Sequence, residues 1–240
     1  FGYIARAALD GAVLGELVGR AADDIVAWDQ LGCLSPHLYY VESGGPVSPA
    51  GFAESLAAEL GRRETSHPRG PVPPTASAAI SARRSFYEIR AANDDATRIW
   101  QSLESTAWTV VCEPIPEFQA SCLHRFIVVK EVPGLDQVLA HLDPWRDHLS
   151  TAGLAVGDEH RRDYADSLAR AGVTRSCPSG RMQEPPRFCG HAGRTALAHP
   201  VTWNDGGCRP DRAPLKSPEQ EIEEHLAIHT PRNASLSRRR

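Results

Sequence analysis

The chain has 240 residues, of which 41% are hydrophobic and 23% charged, and its formal net charge is −4. This length allows one large or two small domains with a buried core, and the slightly acidic balance argues against nucleic-acid binding. No apolar run could span a bilayer and no signal peptide opens the sequence, so we expect a cytoplasmic protein. The sequence starts at Phe1, without an initiator Met and in what reads as a strand, which suggests that an amino-terminal part is missing.

Most of the chain alternates between helix and strand patterns. Apolar residues at helical spacing over 14–26, 49–60, 76–92, 135–142 and 158–170 predict five helices. Short β-branched and aromatic runs predict strands over 37–42, 108–111, 126–129 and 151–156. The first helix is expected to stop at Gly32 with Asp24 away from its apolar face, the second to end before Gly61, and proline-rich 66–74 to be a loop. The alternation predicts an α/β fold with a mostly parallel sheet flanked by helices.

The character of the sequence changes near residue 204. Residues 206–240 are polar, contain prolines and end in three arginines at 238–240. A segment of this composition buries little apolar surface, so we predict a flexible polar tail after a single domain over 1–205. We interpret the terminal arginines as a solvated end rather than an anion site.

The six cysteines do not indicate a metal or a disulfide framework. No two of them have the C-x-x-C spacing of a structural zinc site. Disulfides are not expected in a domain of this size without a secretory leader. Cys189, His191 and Cys208 could meet at a metal ion, but their spacing does not favour it, so no metal is predicted.

Residues 28–36, Trp-Asp-Gln-Leu-Gly-Cys-Leu-Ser-Pro, are the most informative segment. They place Cys33 on a tight turn between a predicted helix and a predicted strand. Such a turn can expose a thiol at the edge of a sheet, where ligands of α/β proteins bind. A cysteine thiolate is a strong nucleophile near neutral pH and is suited to accept an acyl group. Taken alone, the pattern leaves open that Cys33 is a small buried apolar residue.

Two motifs resemble one family. Asp-Gln-x-Gly-Cys-x-Ser-Pro around Cys33, followed by a strand ending at Glu42, resembles the cysteine motif of LuxC-type acyl-CoA reductases. These are distant members of the aldehyde dehydrogenase superfamily, best known for making the fatty aldehyde of bacterial bioluminescence. Residues 180–203 are similar to the family's closing segment, although Ala192 stands where an aspartate is expected. The resemblance covers roughly 1–205 and implies the catalytic domain of an aldehyde dehydrogenase fold, without its upstream nucleotide-binding region.

The resemblance implies a mechanism in which Cys33 carries the acyl group. Cys33 would attack an acyl-CoA or another acyl thioester, and NADPH would reduce the bound thioester to an aldehyde. The backbone amide of Cys33 would be one oxyanion donor, whereas the second donor and the acid–base glutamate of the superfamily lie upstream of this chain. Bioluminescent relatives add an acyl-protein synthetase as a partner, and a homo-oligomer is left open.

Other residues near the motifs have less defined roles. Glu117 resembles the superfamily glutamate that holds the cofactor ribose, and an ordinary loop carboxylate is the alternative. Met-Gln-Glu-Pro-Pro at 182–186 either lines an acyl pocket or turns the chain. Arg6 and His37 are interpreted as salt-bridge or surface residues. Because Cys33 is expected to follow a helix carboxyl end closely, the helix dipole is expected to disfavour its thiolate.

Two other classes of function compete with the reductase. A cysteine acyltransferase or thioesterase would use the same nucleophile without a hydride, and it needs a His and an Asp or Asn that converge on Cys33. A non-catalytic relic or assembly module is the third reading, and the departure at Ala192 favours it. We predict the partial reductase, which in isolation is at most acylated.

Overall fold

The structure, a computed structural model, describes residues 1–186, which form a seven-stranded sheet between two layers of helices. The strands are β1 (Gly2–Ile4), β2 (Leu38–Glu42), β3 (Arg98–Gln101), β4 (Thr109–Glu113), β5 (Phe126–Val132), β6 (Thr151–Ala155) and β7 (Arg175–Pro178). Their order across the sheet is β3-β4-β5-β2-β1-β6-β7. β3 is antiparallel to β4, and all other neighbours in the sheet are parallel.

The inner strands are buried on both faces, which explains their sequences. Every residue of β2, β4 and β6 is buried. Strands covered on both sides read as apolar runs without alternation, as observed for parallel sheets. Alternate side chains enter two cores, so that Tyr40 and Val128 belong to one core and Tyr39 and Val129 to the other.

Helices cover both faces of the sheet. They are α1 (Leu14–Val26), α2 (Pro49–Ser66), α3 (Pro74–Asn93), α4 (Leu135–Leu142) and α5 (Arg161–Arg170). The first two pack on the core of Tyr39, and the last three pack on the core of Tyr40. α2 begins with a side-chain cap, since Ser48 Oγ accepts from Gly51 N at 3.1 Å and Pro49 occupies the first turn.

The predicted α/β class with a mostly parallel sheet flanked by helices is confirmed, and several element boundaries were wrong. β3 and β7 were not predicted, because both are short edge strands and neither has an apolar alternation. α2 continues through Gly61, where an added Cβ would meet the Trp108 ring at an ordinary contact distance of 3.6 Å. α1 ends at Val26 rather than at Gly32. Asp24, expected away from the apolar face, is 1% exposed.

Several sequence-based expectations concern residues beyond 186. The predicted tail over 206–240, the end of the predicted domain at 205, the turn at Ala192 and the weak Cys189, His191 and Cys208 grouping all lie outside the described residues. Within residues 1–186, no group of three or more His, Cys, Asp or Glu side chains could hold a metal ion. In the same range, none of the helices combines the length and the apolar character needed to cross a membrane.

Candidate active site

A left-handed turn precedes the loop that carries Cys33. After α1 the chain forms a 3-10 segment over Ala27–Gln30, in which Trp28, Asp29 and Gln30 have φ values of 57°, 51° and 65°. Left-handed backbone costs about 1–2 kcal/mol for each residue other than glycine, so consecutive examples persist only where surrounding contacts fix them. Such strain is typical of functional loops.

Asp29 supplies the first of these contacts. Its Oδ1 accepts from Arg125 Nη2 at 2.6 Å, and its Oδ2 accepts from the amide of Gly70 at 3.0 Å. Arg125 is itself buried and also contacts Glu64 Oε2 at 3.3 Å and the carbonyl of His67 at 2.9 Å. A charge-assisted pair on a buried guanidinium therefore ties the turn to the residues that follow α2.

Gln30 supplies the second contact and closes the loop. Its side chain is fully buried, and Nε2 donates to the carbonyls of Pro36 at 2.8 Å and Phe126 at 3.0 Å. The two ends of the Cys33 loop are therefore joined to each other and to the start of β5. Ser121 Oγ extends the network, at 3.3 Å from both Gln30 Nε2 and His37 Nδ1.

Cys33 is exposed on this fixed loop, whereas Cys112 and Cys177 are buried. The reading of Cys33 as a buried apolar residue is therefore wrong. Two apolar side chains of the same loop are also exposed, Trp28 at 73% and Leu31 at 55%. Within the described part of the chain, no side chain is hydrogen-bonded to the Cys33 thiol. Arg6 lies at the opposite, carboxyl edge of the sheet, where it pairs with Glu42 at 3.1 Å. The interpretation of Arg6 as a salt-bridge residue is confirmed.

Two expectations about the surroundings of Cys33 need correction. The loop precedes β2, so Cys33 lies at the amino edge of the parallel sheet, whereas the rule that placed ligands at a sheet edge concerns the carboxyl ends of the strands. The 3-10 segment also separates α1 from Cys33. Since helix-dipole effects fall off within one turn, the expected opposition between the α1 dipole and a Cys33 thiolate has no structural basis.

The two sequence segments behind the family resemblance meet in space. Gln183 of the Met-Gln-Glu-Pro-Pro segment donates from Nε2 to Ser35 Oγ at 2.8 Å. Its Oε1 lies so close to Gly32 that a Cβ at that glycine would be 2.7 Å away. Gly32 and Ser35 form a turn around Cys33, in which the Ser35 amide donates to the Gly32 carbonyl at 2.9 Å. The segment therefore contacts the Cys33 loop rather than only turning the chain.

Two buried charged residues hold the turn that carries Gln183. Asp24 accepts from the amides of Gly180 at 2.6 Å and Met182 at 2.8 Å. Arg175 donates from the other side, to the carbonyls of Met182 at 2.8 Å and Arg181 at 2.9 Å. Burial raises the pKa of Asp24 to about 6, although the two amides favour its charged form. Nothing in the sequence pattern marked either residue.

Asp24→Asn should remove one component of the pH dependence of stability. The folded-state pKa of about 6 exceeds the usual aspartate pKa of 3.8, so the folded protein binds more protons than the unfolded chain between those values. The unfolding free energy contributed by Asp24 therefore falls as the pH rises through about pH 4 to 6, by about 3 kcal/mol at most. Urea unfolding of both proteins at several pH values measures this difference. Parallel pH profiles would contradict the assignment.

Glu117 lies on the long connection from β4 to β5 and is exposed. A buried cluster anchors the start of this connection, because Lys130 Nζ donates to Glu113 Oε1 at 2.6 Å and to the carbonyl of Ile115 at 2.8 Å. Within residues 1–186 the Glu117 carboxylate accepts no hydrogen bond. Burial, with a contribution from the Glu117 charge, raises the pKa of Tyr40, whose buried hydroxyl also finds no partner in that range.

Two solved dehydrogenase structures are similar to this chain. A Δ-pyrroline-5-carboxylate dehydrogenase from Mycobacterium tuberculosis is 14% identical at a TM-score of 0.42, over 73% of this chain and 33% of its own. An NAD-dependent benzaldehyde dehydrogenase from Corynebacterium glutamicum is 12% identical at a TM-score of 0.47, over 70% of this chain and 37% of its own. The chain thus spans about a third of the length of these structures.

No curated protein matches the chain significantly. The sequence model of the acyl-CoA reductase (LuxC) family matches residues 1–203, which include both the cysteine loop and the Gln183 segment. The chain therefore belongs to the acyl-CoA reductase (LuxC) family.

Proposed function

We propose that this chain carries the acyl-accepting part of an enzyme that reduces an acyl thioester to an aldehyde, and that Cys33 is the acyl carrier. Membership in the acyl-CoA reductase family supports the reaction class. The single structural observation that supports the residue is an exposed thiol on a loop whose strained backbone is fixed by Asp29 and Gln30. A fixed, accessible nucleophile is what acyl transfer requires.

Each step changes one bond at Cys33. The thiolate attacks the thioester carbonyl carbon, and the resulting oxyanion collapses with loss of coenzyme A thiolate, which takes up a proton from solvent. A Cys33 acyl thioester remains. Hydride addition to its carbonyl carbon gives a second oxyanion, whose collapse breaks the C–S bond, releases the aldehyde and returns the thiolate. The backbone amide of Cys33 is the donor that this chain can offer to both oxyanions.

A nicotinamide cofactor, NADPH by resemblance, would supply the hydride when bound. The exposed Glu117 carboxylate has the acceptor oxygens that a ribose hydroxyl needs and no competing hydrogen bond within residues 1–186. At the glycine turn between β2 and α2, a Cβ at Gly45 would lie 3.0 Å from the Arg6 carbonyl, so this chain's own backbone occupies that side of the glycine. We therefore assign only Glu117 to the cofactor.

The competing acyl-transfer or hydrolytic function needs a histidine that activates the thiol. His37 is the histidine nearest to Cys33 in sequence, and its ring contacts Ser121 and Phe118 instead. Burial, with a smaller contribution from the Phe1 ammonium, lowers the pKa of His37. The described residues thus offer no Cys–His pair, which favours the reductase over the thioesterase.

The finer features of the resemblance belong to the same proposal. They are a catalytic domain over 1–205 with a polar tail over 206–240, a cytoplasmic location, a preference for NADPH, and an acyl-protein synthetase as the source of acyl groups. The family match supports the extent of the domain, the polar composition of 206–240 supports the tail, and the remaining features are implied by the resemblance.

The stoichiometry of coenzyme A release separates the candidate functions. We expect the chain to release one equivalent of coenzyme A from a long-chain acyl-CoA without cofactor and then to stop, because the Cys33 thioester awaits a hydride. Coenzyme A is quantified by chromatography and the protein by intact mass spectrometry. Continuous release with free fatty acid would instead identify a thioesterase. Release far below one equivalent, with no adduct, would favour the non-catalytic relic.

A further inference from the structure

The turn at 180–184 is held more firmly than a connecting loop requires. Asp24 accepts from two of its amides, Arg175 donates to three of its carbonyls, and both charged side chains are buried. Met182 is fully buried against Gly153, where any Cβ would lie 2.8 Å from its sulfur. Burying a charge is costly unless it is fully hydrogen-bonded, so the hydrogen bonds to Asp24 and Arg175 fix the backbone of this turn.

One side chain leaves this turn toward the nucleophile loop. Glu184, the next residue, instead pairs with Arg181 at 2.9 Å on the surface. Gln183 reaches Ser35, which is 148 positions away in the sequence. The anchored turn therefore presents one amide group to the Cys33 loop.

We propose that Gln183 is a positioning residue for the acyl-transfer step, acting through Ser35 and Gly32 to hold the turn that presents Cys33. The proposal deepens the proposed function and rests on it. Gln183 is hydrogen-bonded to Ser35 and not to the thiol. Its Nε2 donates to Ser35 Oγ at 2.8 Å, and its Oε1 lies beside Gly32 in the same turn.

The identity of residue 32 supports this role. Gly32 does not have a positive φ, so its backbone does not require glycine. Its lack of a Cβ is explained by the close approach of Gln183 Oε1, at 2.7 Å from the ideal Cβ position. Since that oxygen ends a flexible side chain, a methyl group here would displace the amide from Ser35 with little effect on the fold.

A purely structural role for Gln183 predicts a different outcome. Gln183 is half-buried and belongs to neither hydrophobic core, so its loss should change global stability by less than about 1 kcal/mol. Loss of the Gln183–Ser35 hydrogen bond should instead loosen the turn around Cys33 and misplace the thiol. A displacement of about 1 Å in a reacting group lowers rates by up to about 10²-fold.

The test measures loop order and acyl transfer separately in the full chain. In Gln183→Ala and Ser35→Ala, we expect amide hydrogen exchange in the 31–36 peptide to rise about 10-fold. The rate of the coenzyme A burst at saturating acyl-CoA should fall about 10- to 100-fold, with an unchanged half-saturating concentration. The double variant should match either single variant, because both remove the same contact.

Glu184→Ala, on the same turn, is the matched control and should behave as wild type in both measurements. Gly32→Ala is the second variant, and it should reproduce the exchange increase with Gln183 still present. If the variants that fold show wild-type exchange in the 31–36 peptide, Gln183 does not hold this turn, and the proposal is overturned whatever the burst rate. If the wild-type chain shows no burst but the variants show raised exchange, Gln183 does hold the turn and the proposed function is rejected.

Discussion

Cys33→Ala should abolish the coenzyme A burst, with a fall in its rate on the order of 10⁴-fold or more. Removing a catalytic nucleophile costs between about 10⁴- and 10⁶-fold in enzymes that form acyl intermediates. Because the Cys33 thiol is exposed and has no hydrogen bond within residues 1–186, the substitution should change the unfolding free energy of the protein by less than about 0.5 kcal/mol. Burst kinetics and urea unfolding on the same preparation separate chemistry from folding.

Cys122→Ala is the matched control for this prediction. Cys122 is half-buried, and burial raises its pKa, which disfavours the nucleophilic thiolate. The control should retain the full burst. A Cys33→Ala protein that still releases one equivalent of coenzyme A would remove Cys33 from the mechanism and point to another cysteine.

The second large effect concerns stability. Lys130 and Glu113 form an ion pair at 2.6 Å in which both side chains are 1% exposed, and Arg90 adds a contact to Glu113 at 2.8 Å. Lys130→Met leaves a buried carboxylate with a single cation and frees the Ile115 carbonyl. Breaking a buried pair from one side costs about 3–5 kcal/mol, and we expect the lower end because Arg90 remains. Urea unfolding measures the loss.

An exposed pair supplies the comparison. Arg162 and Asp166 lie 3.9 Å apart, with side chains that are 90% and 60% exposed, so Arg162→Met should cost no more than about 0.5 kcal/mol. Equal losses in Lys130→Met and Arg162→Met would show that the Lys130 cluster is not buried as described. In that case the Lys130–Glu113 cluster would also not anchor the connection from β4 to β5 that carries Glu117.

The buried part of the fold was predictable because its signal is local. β2 and β5 begin with apolar runs, at 38–41 and 126–129, and such runs indicate strands covered on both faces. β3 escaped prediction because an edge strand needs only one partner and little burial. The end of α1 escaped because left-handed φ values at Trp28, Asp29 and Gln30 come from contacts with distant residues, which no local pattern shows.

The candidate site divides in the same way. Cys33 could be proposed from its loop and from the family resemblance, because both signals lie in residues close to it in the sequence. The roles of Asp24 and Arg175 could not, since each holds a turn whose other side is a distant segment. Asp24 has the sequence spacing of an outward helix position. It is buried because the turn at 180–182 covers it.

Peptide mapping after brief exposure to a long-chain acyl-CoA decides which atom accepts the acyl group. The protein is digested at mildly acidic pH to preserve thioesters, and every cysteine peptide is sequenced by tandem mass spectrometry. We predict one acyl group per chain, on Cys33, which hydroxylamine removes. An adduct on any other cysteine with Cys33 unmodified would contradict the assignment of Cys33 as the acyl carrier.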